Sequence, residues 1–456
     1  MEEKLEEAAA ATNKTRNLKK IILIFCVFAF AKSYSQTGQD STKVYKKRVL
    51  ETTEVDFLTS YYSQDGDNAA VSGGIGTEEL TDVTGTFVVS IPLNDDDVLT
   101  IDAGVSAYTS ASSSNVNPFD GGGTADPFQA SSGASSSDTW ANVTGSYSHS
   151  SDDRNDIWSA TVSVSTEYDY FSAGVGGSYT KLFNEKNTEV SVKANVFIDS
   201  WSLIYPTELR APENGDDDDD DDFNINNYTI TGNPNYYPQF VPIESSGRNT
   251  YALGFGFSQI LHKNVQGSLA LDLVKQQGLL STPFQRVYFA DVENSFIEDF
   301  QLADDIERLP DNRFKIAVGG RLNWFLNERF TVRTFYRYYT DDWGIDSHTA
   351  SLEVPIKIAD KFTLYPSYRF YTQTAADYFA PANKNLSTSE FYTSDHDLSQ
   401  YSANQFGFGV SYTDIFAKAH IWKFGLKSID VKFYQYDRDT SFSSNIITAG
   451  FKFVMD

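Results

Sequence analysis

The 456-residue chain is poor in cysteine, methionine and histidine, with one, two and five residues of these types. The single cysteine, Cys26, lies in an apolar segment near the N-terminus that we expect to be removed, so the mature chain would contain none. This excludes disulfides, iron–sulfur clusters and thiol catalysis in the mature protein. The histidines are scattered, and none has the spacing of a zinc protease motif.

The sequence also lacks an apolar run long enough for a membrane-spanning helix, which needs about 20 residues. Its one sustained run, IILIFCVFAFA at 21–31, follows four basic residues and precedes the small residues Ser33 and Ser35. This order is typical of a signal peptide, with cleavage before Gln36. We therefore predict a signal peptide at 1–35 and a periplasmic N-terminal segment at 36–52.

Basic residues are outnumbered, with 36 Lys and Arg against 62 Asp and Glu and a formal net charge of −26. Because nucleic acid phosphates require Lys and Arg, this balance argues against a nucleic-acid partner. Aromatic residues, by contrast, are plentiful at 15%, with 27 Tyr and 34 Phe. A composition rich in aromatics favours β-strands over helices.

Apolar and polar residues alternate in many segments of the chain. In VSVKANVFI every second residue from Val190 to Ile198 is apolar, while Ser191, Lys193 and Asn195 occupy the other face. Such alternation predicts sixteen strands, at 53–63, 79–93, 97–110, 138–149, 156–166, 169–183, 187–201, 249–261, 264–278, 312–326, 328–342, 345–358, 361–374, 401–413, 426–438 and 441–454.

The predicted connections alternate in length. Those from even-numbered to odd-numbered strands are mostly very short, whereas the connections from odd-numbered to even-numbered strands include all the long ones, at 64–78, 111–137, 202–248, 279–311 and 375–400. An even strand count with short turns on one rim and long loops on the other is typical of an outer-membrane barrel. We predict an all-β fold, a transmembrane antiparallel up-and-down β-barrel spanning 53–456, with short periplasmic turns and long extracellular loops.

The six tryptophans fit the same topology. Trp140, Trp201 and Trp343 fall at the long-loop rim, and Trp158, Trp324 and Trp422 fall at the short-turn rim. Aromatic residues are expected at both membrane interfaces of a barrel. The alternative fold is a secreted β-sandwich adhesin, which would also alternate but has no reason to sort its loops by rim.

The predicted strands between 312 and 374 carry many basic residues on the face opposite their lipid-facing residues. Cations turned into a lumen need partners, and Glu353 and Asp341 could supply them. Two interpretations stay open: an ion-pair network that fills a narrow barrel, or a cation-lined pore for anionic solutes. This predicted basic wall consists of Arg313, Lys315, Arg321, Arg333, Arg337, Lys357 and Arg369, with Glu353.

A run of seven aspartates stands in the longest predicted loop. Adjacent carboxylates repel one another, so the run is either a solvated acidic loop or a site for a divalent cation such as calcium. A homopolymeric run lacks the glycine-punctuated spacing that places ligands around one ion. The candidate calcium ligands are Asp216, Asp217, Asp218, Asp219, Asp220, Asp221 and Asp222; no other cofactor is expected.

Catalysis finds little support. Asp346, Ser347 and His348 have the residue types of a Ser-His-Asp relay, but neighbours on one strand point to alternate faces and cannot form a triad among themselves. We therefore expect no enzyme. An outer-membrane, lipase-like hydrolase with a Ser/His pair on neighbouring strands is the alternative. Asp346 and His348 fall on the lipid-facing phase of their strand, so they must lie above the membrane or beyond a bulge.

Several stretches resemble an uncharacterised bacterial family that carries a domain-of-unknown-function label and is taken to be an outer-membrane β-barrel. They are TPFQRVYF (282–289), ERLPDNR (307–313), YRYYTDDWGIDSHT (336–349), YPSYRFYTQTAADYF (365–379), SAYTSASSSN (106–115) and ASSGAS (130–135). The resemblance covers nearly all of the mature chain. It implies a porin-like protein exported by Gram-negative bacteria, with a periplasmic lipoprotein or thioredoxin-like protein as partner, and no established catalytic residues.

The sequence thus indicates an outer-membrane channel, receptor or envelope assembly partner with a charged lumen. Its expected contacts are outer-membrane lipid and the barrel-assembly machinery, which would recognise Phe453 near the C-terminus. Whether the lumen is open does not follow from the sequence.

Overall fold

The computed structural model describes residues 48–109, 137–210, 225 and 228–455. The predicted signal peptide lies outside the described residues, as do Asp216–Asp222 and the loop at 110–136. No helix in the described part of the chain is long and apolar enough to cross a bilayer.

Sixteen long strands account for most of the described residues. They are β1 (Glu54–Gly66), β2 (Leu80–Pro92), β3 (Asp97–Thr109), β4 (Ser137–Ser150), β5 (Asp156–Thr166), β6 (Tyr170–Phe183), β7 (Thr188–Trp201), β8 (Gly247–His262), β9 (Val265–Gly278), β10 (Asn312–Phe325), β11 (Thr331–Asp341), β12 (Asp346–Glu353), β13 (Phe362–Gln373), β14 (Tyr401–Thr413), β15 (Phe424–Arg438) and β16 (Phe442–Met455). β12 continues as Ile356–Ala359 beyond Pro355, which has no N–H to give to the ladder.

Every strand pairs antiparallel with the next along the chain, and β1 closes the sheet against β16, from Glu54 opposite Val454 to Gly66 opposite Phe442. The chain is therefore a closed, up-and-down transmembrane barrel, as predicted, and not the alternative β-sandwich. Each of the sixteen predicted segments lies on one strand. Closure pairs every barrel edge, which is what a sheet in lipid requires.

Loop lengths separate by rim as the sequence indicated. The connections at 93–96, 151–155, 184–187, 263–264, 326–330, 360–361 and 414–423 lie on the periplasmic rim. The extracellular rim carries the loops at 67–79, 202–246, 279–311 and 374–400, besides three tight turns. The described loops contain the 3-10 turns Ala70–Ser72, Thr207–Leu209 and His396–Leu398 and the short strands Ile230–Gly232, Arg286–Val287, Ser295–Ile297, Phe300–Gln301, Asp305–Ile306 and His420–Ile421.

The two faces of the sheet follow from the ladder registers. On β11, Tyr336 and Tyr338 face lipid while Arg333, Arg337 and Asp341 face the lumen. The register between β11 and β12 is unbroken, from Arg333 opposite Glu353 to Thr340 opposite Asp346. Asp346 and His348 therefore face outward without a bulge, at the extracellular end of β12, which is the first of the two positions expected for them.

The tryptophans lie at the predicted rims, but three of them are not the lipid-facing interfacial residues that the sequence predicts. Trp158 and Trp324 face outward near the periplasmic rim, as an interfacial residue should. Trp140 and Trp201 instead lie on lumen-facing positions of β4 and β7. Trp343 is only 3% exposed because it packs against extracellular loops. The phase of their own strands turns Trp140 and Trp201 inward, whereas Trp343 is covered by loop residues.

Two adjacent residues of β5 test the orientation of the strand faces. Val162 faces lipid and Ser163 faces the lumen. We expect Val162→Arg to lower the free energy of unfolding by about 2–4 kcal/mol, because a lipid-facing Arg near the bilayer midplane is desolvated. Ser163→Arg should leave the free energy of unfolding nearly unchanged, because its charge stays in water. The measurement is urea unfolding in lipid vesicles, and equal losses in both variants would contradict the assignment.

Candidate functional site

Among the described residues, the clusters of buried apolar side chains lie in the extracellular loops and not in the wall of the barrel. The four clusters centre on Tyr288 with Ile306, on Phe289 with Tyr392, on Ile297 with Leu302, and on Ala69 with Val71. All of these residues belong to the loops at 67–79, 202–246, 279–311 and 374–400, whose described residues we call the cap. A loop assembly with its own dry core behaves as a folded unit and not as a set of solvated connections.

A buried ion pair joins three loops of the cap. Arg286 donates from Nε and Nη2 to the two carboxylate oxygens of Glu208, at 2.7 and 3.1 Å. The two side chains are 3% and 0% exposed. Arg286 also donates from Nη1 to the carbonyl oxygen of Val71, at 3.3 Å. Because a bidentate pair satisfies both partners in one geometry, this contact fixes how the loops at 67–79, 202–246 and 279–311 meet.

A second buried carboxylate, Glu307, joins the loops at 279–311 and 374–400. It accepts hydrogen bonds from the hydroxyl of Thr393 at 2.5 Å and from the backbone N–H of Thr282 at 2.8 Å. Burial raises the pKa of Glu307 to about 8, helped by the nearby charge of Asp395. Burial also raises the pKa of Asp395, as does the neighbouring Asp397. These two carboxyl groups favour their protonated forms while the cap is folded.

The cap is attached to the inner wall of the barrel at several points. Gln373 on β13 donates from Nε2 to the carbonyl oxygens of Asp397 and Ser399, at 2.9 and 2.6 Å. Arg438 on β15 pairs with Asp397 at 2.6 Å. The ring of Trp343 lies edge-on to Tyr378, with centroids 6.0 Å apart. The cap therefore covers the extracellular mouth of the lumen.

Below the cap the lumen is accessible to water. Leu58 is 47% exposed although its register places it on the lumen-facing side of β1, in phase with Asp56 and Gly450. The side chain of lumen-facing Lys193 is 61% exposed, and that of Arg333 is 50% exposed. Side chains that point inward and stay this exposed line a hydrated space.

The residues of the predicted basic wall all lie on lumen-facing positions of β10 to β13 or the continuation of β12. Four of them have partners. Arg313 donates from Nε to Asp341 at 2.9 Å and lies 4.2 Å from the ring centroid of Trp343. Arg333 pairs with Glu353 at 2.8 Å, and Lys357 lies 3.8 Å from Asp360. Arg321 lies over the ring of Phe335 at 5.3 Å.

Among the described residues, the other three cations of the wall have neither a counter-charge nor an aromatic partner of this kind; Arg321 has the ring but no counter-charge. In the part of the chain that the structure describes, Lys315, Arg337 and Arg369 have no carboxylate oxygen within 4.0 Å. Arg337 and Arg369 are also exposed to the lumen. The wall is thus part ion-pair network and part open basic surface, so neither of the two sequence interpretations describes all of it.

The opposite wall has the opposite charge. Glu54, Asp56, Asp82, Asp102 and Asp138 occupy lumen-facing positions of β1 to β4. No lumen-facing Lys or Arg accompanies them on the described residues of these four strands. In a closed barrel of sixteen strands, each strand faces the one eight places further along, so β2 to β4 face β10 to β12. The lumen therefore has an acidic arc across from a basic arc.

Three carboxylates that the sequence analysis did not single out meet at the extracellular rim. One ligand oxygen from each of Asp138, Glu167 and Asp169 lies within 4.8 Å of the others. Burial raises the pKa of Glu167 and of Asp169, and each is raised further by a neighbouring carboxylate of the group. Oxygen ligands of this kind suit calcium. The calcium site predicted at Asp216–Asp222 lies outside the described residues.

The residues proposed for a hydrolase are not brought together as a triad. His348 is hydrogen-bonded through Nδ1 to the hydroxyl of Tyr336 at 2.8 Å, and Asp346 accepts from the hydroxyl of Tyr338 at 2.8 Å. Ser347 points to the other face, into the lumen. Asp346 and His348 thus form polar contacts with tyrosines on the outer surface at the extracellular rim.

Sequence reasoning missed the residues that hold the cap together, Glu208, Arg286 and Glu307. One signal was present: Arg286 stands among apolar neighbours in TPFQRVYF, and a cation in such a run needs a buried partner. The partner itself, 78 residues earlier, could not be found without the loop conformation.

Comparison with known proteins assigns the chain to a family. A family model described as "Protein of unknown function (DUF3570)" matches residues 23–442, and the chain belongs to this family. No curated protein sequence matches the chain.

Solved structures of similar fold include outer-membrane proteins of low sequence identity. They include a bacterial polysaccharide outer membrane secretin, at 9% identity over 89% of this chain and 98% of that chain, with a TM-score of 0.44. A siderophore receptor, PirA from Pseudomonas aeruginosa, matches at 10% identity over 87% and 57%, with a TM-score of 0.37. A BenF-like porin from Pseudomonas fluorescens matches at 9% over 89% and 100%, with a TM-score of 0.36. At these scores and identities the likenesses carry no argument about the role of this chain.

The ion pair between Glu208 and Arg286 should control the stability of the cap. Arg286→Met leaves the Glu208 carboxylate buried without a counter-charge, which costs about 3–5 kcal/mol. We expect the loops at 202–246 and 279–311 to become sensitive to protease added to intact cells or proteoliposomes, while the barrel still migrates as a folded species on unheated gels. The double variant Glu208→Leu/Arg286→Met removes both charges and should regain protection.

An exposed ion pair serves as the matched control. Arg48 and Asp95 pair at 2.9 Å, with side chains 47% and 46% exposed. Arg48→Met should therefore change stability by less than about 1 kcal/mol and leave the cap protected. If Arg286→Met and Arg48→Met were equally resistant to protease, the buried ion pair would not be what holds the cap together.

The pKa of Glu307 makes the cap pH-dependent. Its pKa rises from an ordinary value of 4.5 to about 8 on folding, so the folded cap binds more protons than the open cap between these values. The stabilising effect of this group is complete below pH 4.5 and is lost as the pH rises through 8. We expect hydrogen exchange of the cap amides to accelerate between about pH 5 and 9 beyond the intrinsic rate, and Glu307→Gln to flatten this dependence. An unaltered pH profile in Glu307→Gln would refute the assignment.

Proposed function

We propose that the protein is an outer-membrane channel for small solutes whose extracellular mouth is closed by the cap and opens when the cap moves. The observation that carries this proposal is the arrangement of two different spaces along one axis. Above lies a dry, interlocked cap held by Glu208 and Arg286, and below lies a hydrated lumen lined by charged side chains. A barrel that served only as a membrane anchor would have no need for a water-accessible lumen.

The way the cap is held supports a gate. Its contacts with the barrel are scattered, such as the ion pair of Arg438 with Asp397 and the ring contact of Trp343 with Tyr378, whereas its apolar clusters are formed among the loops themselves. A unit with its own core can move on such contacts without unfolding, because few apolar contacts with the wall are lost. In this proposal the arrangement with the cap in place is the closed form, and opening would expose the basic and acidic arcs to the outside.

Selectivity of the open channel would follow from the charges that have no counter-charge beside them. Such charges lie on both arcs. Arg337 and Arg369 face water on the basic arc, and Asp82, Asp102 and Asp138 lie on the acidic arc, where Glu54 is paired with Lys452 at 2.6 Å. We propose a moderate preference for anions because Arg337 and Arg369 line the space directly beneath the cap, where a solute from outside would first meet the lumen. The lipoprotein or thioredoxin-like partner and the calcium site expected from the sequence stay predictions, as does the absence of enzymatic activity.

Conductance in planar bilayers tests the gate. The wild-type protein should be closed for most of the time, and Arg286→Met should open in steps of larger conductance because the cap is released. Arg48→Met should behave as the wild type. If Arg286→Met stays silent in bilayers although protease shows that its cap is released, the channel proposal is wrong.

Reversal potentials in a salt gradient test the selectivity. In the Arg286→Met background, replacing Arg333 and Arg337 with Ala should shift the reversal potential towards cation selectivity, because two lumen cations are lost. A matched pair of exposed cations, Lys186 and Lys263 on the periplasmic turns, should have little effect when replaced. An unchanged reversal potential in the Arg333/Arg337 variant would count against a conducting path along the basic wall.

A further inference from the structure

A small cavity lies between the underside of the cap and the basic wall. Its volume is about 260 Å³. Arg337 and Arg369 line it from the wall, and Asp397 lines it from the 3-10 turn of the cap. This volume is below the range of about 300–1,000 Å³ that holds drug-sized ligands, so the cavity suits a solute of few atoms.

The cavity has an excess of positive charge. Asp397 does not neutralise Arg337 and Arg369, because it is engaged with Arg438 at 2.6 Å. Arg313, which also lines the cavity, is paired with Asp341. Two guanidinium groups facing one small space repel each other unless an anion lies between them. In the described part of the chain, neither Arg337 nor Arg369 forms an ion pair that would account for its position in the cavity.

The remaining lining can supply neutral donors. Ser347 and Thr349 on β12, between the two arginine strands, place their side chains on the same face of the sheet and line the cavity. Arginine binds carboxylate and phosphate groups through two parallel hydrogen bonds, and hydroxyl donors complete the shell of such an oxyanion. The combination is specific in chemistry: two cations and two hydroxyls with no free carboxylate among them.

We propose that this cavity is a binding site for a small solute bearing a carboxylate or phosphate group, held by Arg337 and Arg369 directly beneath the cap. The inference rests on the proposed channel function, since it names the class of solute that the closed channel would hold. It adds a defined position: the anion binds where the wall meets the turn His396–Leu398, so an occupied site touches the element that covers the lumen.

Binding of two probe anions to the full-length protein in detergent tests the proposal. Inorganic phosphate and succinate represent the two groups, and each is titrated at low ionic strength by calorimetry against the wild type, Arg337→Gln and Arg369→Gln. We expect at least one probe to bind the wild type and each substitution to weaken it about tenfold, equivalent to about 1.4 kcal/mol. The probe that binds more tightly identifies the group.

Lys193→Gln is the matched control, because Lys193 is a lumen cation on β7 that lies near Asp272, at 3.6 Å, outside the cavity. The Lys193→Gln variant should bind the probe with the affinity of the wild type. Binding of neither probe to the wild type, or an equal loss in Lys193→Gln, would overturn the proposal. Unheated gel migration confirms that each variant is a folded barrel.

The bilayer experiment separates this inference from the proposed function. If Arg286→Met opens in steps but neither phosphate nor succinate binds the wild type, the channel proposal stands and the anion-site proposal is wrong. If a probe binds the wild type but Arg286→Met shows no conductance, the anion-site proposal stands and the channel proposal is wrong.

Discussion

The pairing of Arg286 with Glu208 is the contact on which the fold of the cap depends. Both side chains are withdrawn from water, so each would be costly to bury alone, and together they tie residues from three loops that are far apart in the sequence. The apolar clusters around Tyr288 and Phe289 can stay dry because this pair and the Glu307 hydrogen bonds satisfy the polar groups between them. The barrel supplies the frame, but the cap supplies the only sizeable dry core in the described residues.

This distribution reverses the usual relation between strands and loops. In the barrel, every second residue faces lipid and the residues between face a wet lumen, so little of the wall is buried against protein. The loops, in contrast, contain fully buried carboxylates and aromatic rings. Function in such a molecule is controlled where burial is deepest, because a proton or a partner there changes a larger free energy than it would at the surface.

The sequence was sufficient for the wall and insufficient for the cap, for one physical reason. A strand in a barrel has a period of two, and a one-residue shift would turn Val190 to Ile198 from lipid into the lumen, so alternation determines both the strand and its faces. That is why the lumen positions of Arg313, Arg337 and Arg369 could be predicted. Loops have no period, and nothing local in the sequence connects Glu208 with Arg286 or Glu307 with Thr393. The inward orientation of Trp201 belongs with the wall: it lies three residues after lipid-facing Ile198 on the same strand, so the alternation that places Ile198 in lipid places Trp201 in the lumen.

The acidic arc on β1 to β4 and the basic arc on β10 to β13 act across the lumen, at right angles to the axis of the barrel. Opposite charges on facing walls create a transverse electric field, and low-dielectric walls concentrate such a field in the space between them. A solute that carries both a carboxylate and an ammonium group would be turned crosswise by this field, with its negative end towards Arg337. The barrel would then discriminate by the arrangement of charge within a molecule, a property that neither the width of the lumen nor its net charge describes.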